Sequence, residues 1–521
     1  MQLKLKLTVV AAIAAAAGVA SAQEQVVKIG HVAPVSGAQA HYGKDNENGA
    51  RMAIEELNAQ GITIGGKKIK FELQAEDDAA DPKQGTAAAQ KLCDSKVAGV
   101  VGHLNSGTTI PASKVYNDCG IPMVTGAATN PNLTKPGYKT TFRIIANDNA
   151  LGAGLAFYAV DTLKLKTVAI IDDRTAYGQG VADVFKKTAT AKGMKVVDEQ
   201  FTTDKATDFM AILTAIKAKN PDAIFYGGMD PQGGPMLRQM EQLGMGNVKY
   251  FGGDGICTSE IAKLAAGAKT LGNVICAEGG SSLAKMPGGT AWKAKYDAKY
   301  PNQFQVYSPY TYDATFLLVD AMKRANSVDP KVYTAELAKS NFKGVTSTIQ
   351  FEPNGEMKNP AITLYVYKDG KKTPVPKADF VVSAVDVTAD KVAGDQVNIH
   401  KLQKFSRVTA SSWQPEFPAI DVRAFHPRRG WSPDLKSDEA PHLTLTFDQP
   451  ITADKQAYIS SLERLVAYYP KKEYWNDLLR RIESKPGYNN RLALDMYRLR
   501  RATKTLDSGN DVFEMAQLAL Q

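Results

Sequence analysis

The chain has 521 residues, more than one ordinary hydrophobic core accommodates, so several packed units are expected. Its 63 Lys and Arg residues outnumber its 54 Asp and Glu residues, which gives a net charge of +9. The basic residues are scattered and form no stripe beside aromatic residues, which argues against a nucleic-acid-binding protein.

The first 22 residues have the composition of a cleavable secretory signal. Lys4 and Lys6 precede an apolar run from Leu7 to Val19, and the small residues Ala20-Ser21-Ala22 follow. The run is shorter than the roughly 20 residues that span a bilayer, which disfavours a membrane anchor. No Cys follows the cleavage point, so we expect an exported protein without a lipid anchor.

The four cysteines are interpreted in the light of export, because an oxidising compartment favours disulfides. Cys93 and Cys119 each end a helical pattern just before an apolar strand, and Cys257 and Cys276 bracket one further helix. We predict these two local pairs, although four cysteines permit three pairings and four buried thiols remain an alternative. Zinc is disfavoured because no CxxC or close Cys/His spacing is present.

From residue 26 the sequence alternates short apolar runs with longer amphipathic ones. The run "VVKIGHVAPVSG" predicts a strand, "GKDNENGARMAIEELNAQG" a helix, and "KIKFELQAEDDA" another strand. This alternation predicts right-handed βαβ units and a parallel sheet. The pattern restarts after about residue 147, so the fold class is α/β with two lobes.

The chain is expected to return to its first lobe before it ends in the second. Helices are predicted near 287–300, 310–325 and 330–339, and a hairpin is predicted around Pro353-Asn354-Gly355. The predicted boundaries are 24–146 with 279–352 for the first lobe, and 147–278 with 353–387 for the second.

The composition and periodicity of the sequence change beyond residue 388. Residues 388–451 carry many Pro and little periodicity, which predicts a linker of low order. Residues 452–521 predict an all-α segment that resembles tetratricopeptide-type hairpins, with an incomplete repeat pattern. This segment is either an adaptor module or a fragment of an unrelated helical protein joined to the lobes.

Two turns that follow predicted strands are candidate binding elements. The stretch "VGHLNSGTTIPAS" (101–113) lacks the Lys and the glycine spacing of a phosphate loop, but Ser106, Thr108 and Thr109 offer hydroxyls that suit a single carboxylate. Alternatively, these hydroxyls only cap a helix. The stretch "VTGAATNP" (124–131), with Thr129, has the same form and favours the binding interpretation.

The other motifs do not indicate a catalytic or metal-binding site. His103 is interpreted as a core histidine, and "DDAADP" (77–82) lacks the Gly and distal Glu of a calcium loop and is expected to open a helix. No nucleophile with a nearby base is recognisable, so we expect no enzyme, no metal and no cofactor.

Five motifs are spread along residues 24 to about 387, namely "DDAADPKQGTAAAQKL", "VVGHLNSGTTIPAS", "DRTAYGQG", "FYGGMDPQGG" and "FGGDG". By these motifs the segment resembles the periplasmic leucine/isoleucine/valine-binding proteins of ABC transporters. The resemblance implies a type I periplasmic binding protein fold with a three-strand hinge, a monomeric binding domain, a periplasmic location and an inner-membrane permease as partner.

The resemblance also implies a ligand site for an amino acid, branched-chain or otherwise apolar. Ser106 and Thr129 would bind the carboxylate, whereas the Ala127 carbonyl and Asp254 would bind the ammonium. Ala128 lies in the same turn, and the side-chain pocket would be formed by Tyr42, Tyr177, Met229 and Tyr307.

Two positions depart from the leucine-binding pattern. Asp254 stands where those proteins have Glu, and Met229 stands where they commonly have Tyr, so the pocket is reshaped. Asp230, beside Met229, is interpreted as a solvated helix cap or as a second ammonium partner. A sensory ligand-binding protein for amino acids or amides, and an adaptor that works through its C-terminal helices, are the alternative functions.

Overall fold

The computed structural model describes residues 24–381 and two further strands within 405–447. The chain divides into two units with the boundary between residues 384 and 385. The predicted signal segment 1–22 and the predicted helical segment 452–521 lie outside the described residues.

The first sheet has six strands, of which five are parallel. They are β1 (Gln25–Ala33), β2 (Thr63–Ile64), β3 (Lys67–Asp77), β4 (Gly99–Gly102), β5 (Met123–Thr125) and β6 (Thr141–Arg143). The order in the sheet is β2-β3-β1-β4-β5-β6, and β2 is the antiparallel edge strand. The helices α1 (Ala40–Ala59), α2 (Pro82–Asp94) and α3 (Ser106–Cys119) connect the strands, as the alternating pattern predicts.

The second group of strands begins after the chain leaves β6. Its parallel strands are β7 (Thr167–Asp172), β8 (Lys195–Phe201), β9 (Ala223–Gly227), β10 (Lys249–Gly252) and β11 (Val274–Gly279). The accompanying helices are α4 (Asp148–Phe157), α5 (Ala176–Ala191), α6 (Met210–Lys217), α7 (Asp230–Gln242) and α8 (Glu260–Leu264).

After β11 the chain returns to the first sheet. It forms α9 (Gly289–Lys299), α10 (Ser308–Ala325), α11 (Pro330–Ala338) and the short hairpin β12 (Phe342–Lys343) and β13 (Thr348–Ile349). Helix α10 packs against α1, β4 and β5. The chain then crosses back and adds β14 (Ala361–Lys368) and β15 (Lys371–Val381), which gives a seven-stranded sheet of order β15-β14-β11-β10-β9-β7-β8.

One buried carboxylate ties α10 to α1. Asp45 accepts hydrogen bonds from the main-chain N–H groups of Val306, Tyr307 and Ser308, at 3.1, 2.8 and 3.1 Å, although it belongs to α1. The helices approach so closely that a Cβ on Gly49 would lie 2.1 Å from the Ser308 carbonyl oxygen. This contact fixes the start of α10, which carries Tyr307 next to its first residue.

Both predicted disulfides are present. Cys93 pairs with Cys119 across a Cα–Cα distance of 6.2 Å, and Cys257 pairs with Cys276 across 5.4 Å. Each joins an element of one lobe to a neighbouring element of the same lobe, as the local pairing predicts.

The long hairpin differs in position from the one predicted around Pro353-Asn354-Gly355. The turn at Pro353-Asn354-Gly355 is flanked by a single bridge between Phe351 and Met357, and the long hairpin is instead β14–β15. Its turn, Asp369-Gly370, has positive φ angles of 49° and 73°, which glycine and aspartate tolerate.

The segment predicted as a low-order linker contains a two-stranded antiparallel sheet that was not predicted. It is formed by β16 (Phe405–Ala410) and β17 (Leu443–Phe447). The other residues of 388–451 lie outside the described residues. Within the described part of the chain, no helix is long and apolar enough to cross a membrane.

Candidate ligand-binding site

The first candidate turn presents the N-terminus of α3. Asn105 is its N-cap, but the Asn105 side chain makes no capping bond and donates to Gln39 Oε1 at 2.7 Å instead. The first N–H groups of a helix have no partner within it, and they carry a partial positive charge. Since Asn105 and Ser106 both line a cavity, this helix start suits an anion.

The three hydroxyls of this turn have different roles. Thr108 and Thr109 donate to the Asn105 carbonyl at 3.1 and 2.7 Å, so their hydroxyls are used within the helix. Ser106 Oγ accepts a hydrogen bond from the Asn130 main-chain N–H at 3.1 Å. The Ser106 hydroxyl hydrogen is thus the one of the three that is free for a ligand.

The second candidate turn, residues 127–130, is shaped by side chains behind it. Thr125 Oγ1 accepts from the main-chain N–H groups of Ala127 and Ala128 at 3.2 and 3.0 Å. These two amides are therefore used inside the protein. The Thr129 hydroxyl is buried and makes no hydrogen bond that meets ordinary geometry with the described residues.

Arg143 supports the same turn from β6. Its guanidinium donates to the carbonyls of Ala128 and Asn130 at 2.8 and 3.0 Å and pairs with Glu356 at 2.5 Å. Arg143 is fully buried, and such a charge is stable only when it is paired and hydrogen-bonded. Burial alone would raise the pKa of Glu356, but the guanidinium and other donors hold that pKa below its ordinary value.

A cavity of about 220 Å³, including its opening, lies between the two lobes. Its walls are Leu104, Asn105, Ser106, Ala127, Tyr177, Met229, Asp254 and Tyr307.

Asp254 supplies the acidic end of the cavity. One carboxylate oxygen accepts from the Tyr307 hydroxyl at 3.0 Å, whereas the other is buried and makes no hydrogen bond of ordinary geometry with the described residues. Burial raises the pKa of Asp254 to about 6. The unpartnered oxygen favours a ligand that brings a cationic donor.

Tyrosines from both lobes surround Asp254. Tyr42, from α1, donates to the Gly255 carbonyl at 2.7 Å, and Tyr177, from α5, accepts from the Gly255 N–H at 2.8 Å. Tyr42 and Tyr307 rings are 6.1 Å apart. The two lobes therefore contact each other across the cleft.

The structure brings together most of the residues that the sequence singled out. Those in the cavity walls are Ser106, Ala127, Tyr177, Met229, Asp254 and Tyr307. Tyr42, Ala128 and Thr129 lie behind the walls, in the contacts given above. Leu104 and Asn105 are wall residues that were not predicted from the sequence, although they directly precede Ser106, which was.

Asp148 is a further buried acid near the site. Its main-chain N–H donates to the Thr129 carbonyl at 2.8 Å, and neither carboxyl oxygen has a partner of ordinary geometry in the described part of the chain. Burial, reinforced by the charge of Asp254, raises the pKa of Asp148 to about 8. Asp148 thus favours the neutral form over much of the neutral pH range.

The interpretation of Asp230 as a solvated helix cap was wrong. Asp230 is the first residue of α7 and is fully buried, where it contacts His41 and Thr258. The alternative, direct contact with a ligand, is not supported either, because Asp230 is not a wall residue.

The remaining sequence motifs have structural roles. His103 is buried, with Nε2 2.8 Å from the Tyr116 hydroxyl and Nδ1 3.4 Å from Asp78. Asp81 caps α2 by accepting from the N–H groups of Lys83 and Gln84. Among the described residues no cluster of His, Cys, Asp or Glu is arranged to hold a metal ion.

The fold and the small cavity between two lobes define a solute-binding protein. A family model described as "Periplasmic binding protein" matches residues 26–372. The chain therefore belongs to the periplasmic binding protein family.

Curated relatives agree with this assignment. An amino acid binding protein of Pseudomonas aeruginosa is 34% identical over 352 residues, which cover 67% of this chain and 92% of the relative. The leucine-, isoleucine-, valine-, threonine-, and alanine-binding protein of the same organism is 32% identical over 350 residues, with the same coverage.

Solved structures also share the fold. The branched-chain amino acid transporter substrate binding protein of Streptococcus pneumoniae, in complex with isoleucine, superimposes with a TM-score of 0.61 and 27% identity. The match covers 67% of this chain and 99% of that one.

Proposed function

We propose that this protein captures an amino acid between its lobes and delivers it to an ABC transporter permease. The proposal rests on the different electrostatic character of the two ends of the cavity. The uncapped start of α3 lies on one lobe, and the unpartnered carboxylate oxygen of Asp254 lies on the other. A zwitterion satisfies both ends at once, because each of its charges meets the opposite one.

The ligand carboxylate is assigned to Ser106 and to the turn that contains Thr129. The ammonium is assigned to Asp254 and to the Ala127 carbonyl. Each charge-assisted hydrogen bond contributes roughly 1.5–3 kcal/mol, so a few of them support binding in the micromolar range or tighter.

The ligand side chain is assigned to the part of the cavity formed by Leu104, Tyr177, Met229 and Tyr307. These largely apolar walls favour a branched-chain or other apolar amino acid. The name of one Pseudomonas aeruginosa relative, the leucine-, isoleucine-, valine-, threonine-, and alanine-binding protein, supports this preference.

Ligand capture in this account uses a hinge. The two lobes, 24–146 with 279–352 and 147–278 with 353–387, move about the three crossings near residues 147, 279 and 352. Family membership implies a periplasmic location, and cleavage of residues 1–22 after export is the proposed route to it.

The proposal is tested by thermal denaturation of the full mature chain with each of the twenty standard amino acids. A ligand at one hundred times its dissociation constant stabilises the folded state by about 2.7 kcal/mol, so a rise of several degrees is expected for at least one apolar amino acid. No shift with any of the twenty would contradict the amino-acid assignment.

A further inference from the structure

A polar contact joins the lobes outside the cavity. His41 lies at the start of α1, in the first lobe, and Asp230 is the first residue of α7, in the second. His41 Nε2 is 3.1 Å from Asp230 Oδ1 and 3.0 Å from Oδ2. The two residues are 189 positions apart in the sequence, so the contact depends on the approach of the lobes.

The groups around Asp230 stabilise its carboxylate. The Asp230 side chain is fully buried, and Thr258 donates its hydroxyl to Oδ2 at 2.5 Å. Tyr367 in turn donates to the Thr258 carbonyl at 2.5 Å, which holds that loop in place. The N-terminus of α7 adds the favourable end of a helix dipole.

His41 supplies the hydrogen-bond partner of Asp230 from the other lobe. Its side chain is 20% exposed, and its ring lies 4.2 Å from that of Tyr42. Loss of one partner of a buried polar contact is costly, because the remaining group stays desolvated. The contact joins residues of different lobes and exists only while the lobes are together, so it stabilises the closed arrangement selectively.

Neither residue lines the cavity, in contrast to Asp254 and Tyr307, which also meet across the cleft. The His41 contact can therefore change the stability of the closed form without touching the ligand. This separates it from the residues that determine which amino acid binds.

We propose that His41 and Asp230 form an interlobe latch that stabilises the closed form of this binding protein. The latch rests on the hinge closure of the proposed function but not on the identity of the ligand. It sets the balance between closed and open forms, and through that balance the rate at which a bound solute is released.

The test measures the distance between the lobes in the full mature chain by pulsed electron paramagnetic resonance. Spin labels are placed at two exposed sites, Lys44→Cys on α1 and Lys205→Cys in the second lobe. Spectra are recorded without ligand and with a mixture of the twenty standard amino acids. His41→Gln and Asp230→Asn are each expected to lower the ratio of closed to open forms about tenfold.

Two comparisons make the result specific. The double variant is expected to fall no further than the single variants, because both remove the same contact. Lys192→Gln, which breaks an ion pair with Asp161 inside the second lobe, is the matched control and should leave the ratio unchanged.

Three results would overturn the latch. The ratio of closed to open forms could be unchanged in His41→Gln, or the effects of the two substitutions could multiply in the double variant. The third result is a wild-type chain that has no closed population with or without the amino-acid mixture. The amino-acid mixture tests the proposed function separately. If it fails to raise the closed fraction of the wild type and of Lys192→Gln, ligand capture is contradicted, whereas the comparison of variants without ligand still decides the latch.

Discussion

The Ser106 hydroxyl accepts a hydrogen bond from the Asn130 main-chain N–H at 3.1 Å, which links the start of α3 to the turn after β5. The two turns come from neighbouring parallel strands, so their ends meet at one edge of the sheet. Because the bond uses a lone pair of Ser106, the hydroxyl hydrogen remains available to a ligand carboxylate.

Replacing Ser106 by Ala is expected to weaken amino-acid binding about tenfold to a hundredfold, since a hydrogen bond to a charged group is lost. The ligand-free protein is also expected to lose stability, because the buried Asn130 N–H loses its acceptor, so affinity is measured at a temperature at which the variant is fully folded. Titration calorimetry with the best ligand of the thermal screen measures the change in affinity.

Ser113→Ala is the matched control for that variant. Ser113 is buried on the same helix and donates to the Ile110 carbonyl at 2.7 Å, away from the cavity walls. Its affinity should equal that of the wild type. Equal losses in the two variants would show that Ser106 acts through the helix and not through the ligand.

Affinity is expected to fall as the pH drops below about 6. The pKa of Asp254 is raised to about 6 by burial, so the ionised form that pairs with an ammonium is lost as the pH falls through that value. Binding measured between pH 5 and pH 8, with Asp254→Asn for comparison, checks this. A wild-type affinity as flat with pH as that of the variant would contradict the role of Asp254.

Asp148→Asn is expected to stabilise the ligand-free protein more at pH 8 than at pH 5. The pKa of Asp148 is raised to about 8, so the folded state binds more protons than the unfolded state, and the free energy of unfolding falls as the pH rises from about 4 to 8. The variant lacks this loss, which is roughly 1.4 kcal/mol for each pH unit between the two pKa values.

Thermal midpoints of the wild type and Asp148→Asn at the two pH values provide the measurement. Asp183→Asn, at an exposed position of α5, is the control for a surface charge. The same difference between wild type and Asp148→Asn at both pH values would refute the linkage.

Removing the second disulfide by replacing Cys257 and Cys276 with Ser is expected to lower the free energy of unfolding by about 3 kcal/mol. The bond closes a loop with a sequence separation of 19 residues, which restricts the unfolded chain. Denaturant unfolding of the oxidised wild type and the double variant checks the value. An unchanged midpoint would show that the bond adds nothing to stability.

Periodicity in the sequence was sufficient to predict the α/β order of the lobes, because each apolar run of β1 and β4 is buried on both faces of a parallel sheet. The Asp-rich stretch before α2 was interpreted correctly for the same kind of reason. Its Asp81 cap is a local interaction that depends on residues two and three positions ahead.

The sequence did not reveal interactions that depend on the approach of distant segments. Asp230 has the pattern of an exposed helix cap, but it is buried, and its partners His41 and Thr258 are distant in the sequence. Arg143 likewise gave no signal, because its partners are main-chain carbonyls and Glu356, 213 residues away. The roles of Thr108 and Thr109 also depended on helix geometry that the sequence left open.

The most direct measurement of the central claim is a crystal structure of the full mature chain with the amino acid that gives the largest thermal shift. We expect the carboxylate within hydrogen-bond distance of Ser106 Oγ at the start of α3, and the ammonium within hydrogen-bond distance of the Asp254 carboxylate. A ligand bound in the reverse orientation, or at another place on the protein, would contradict it.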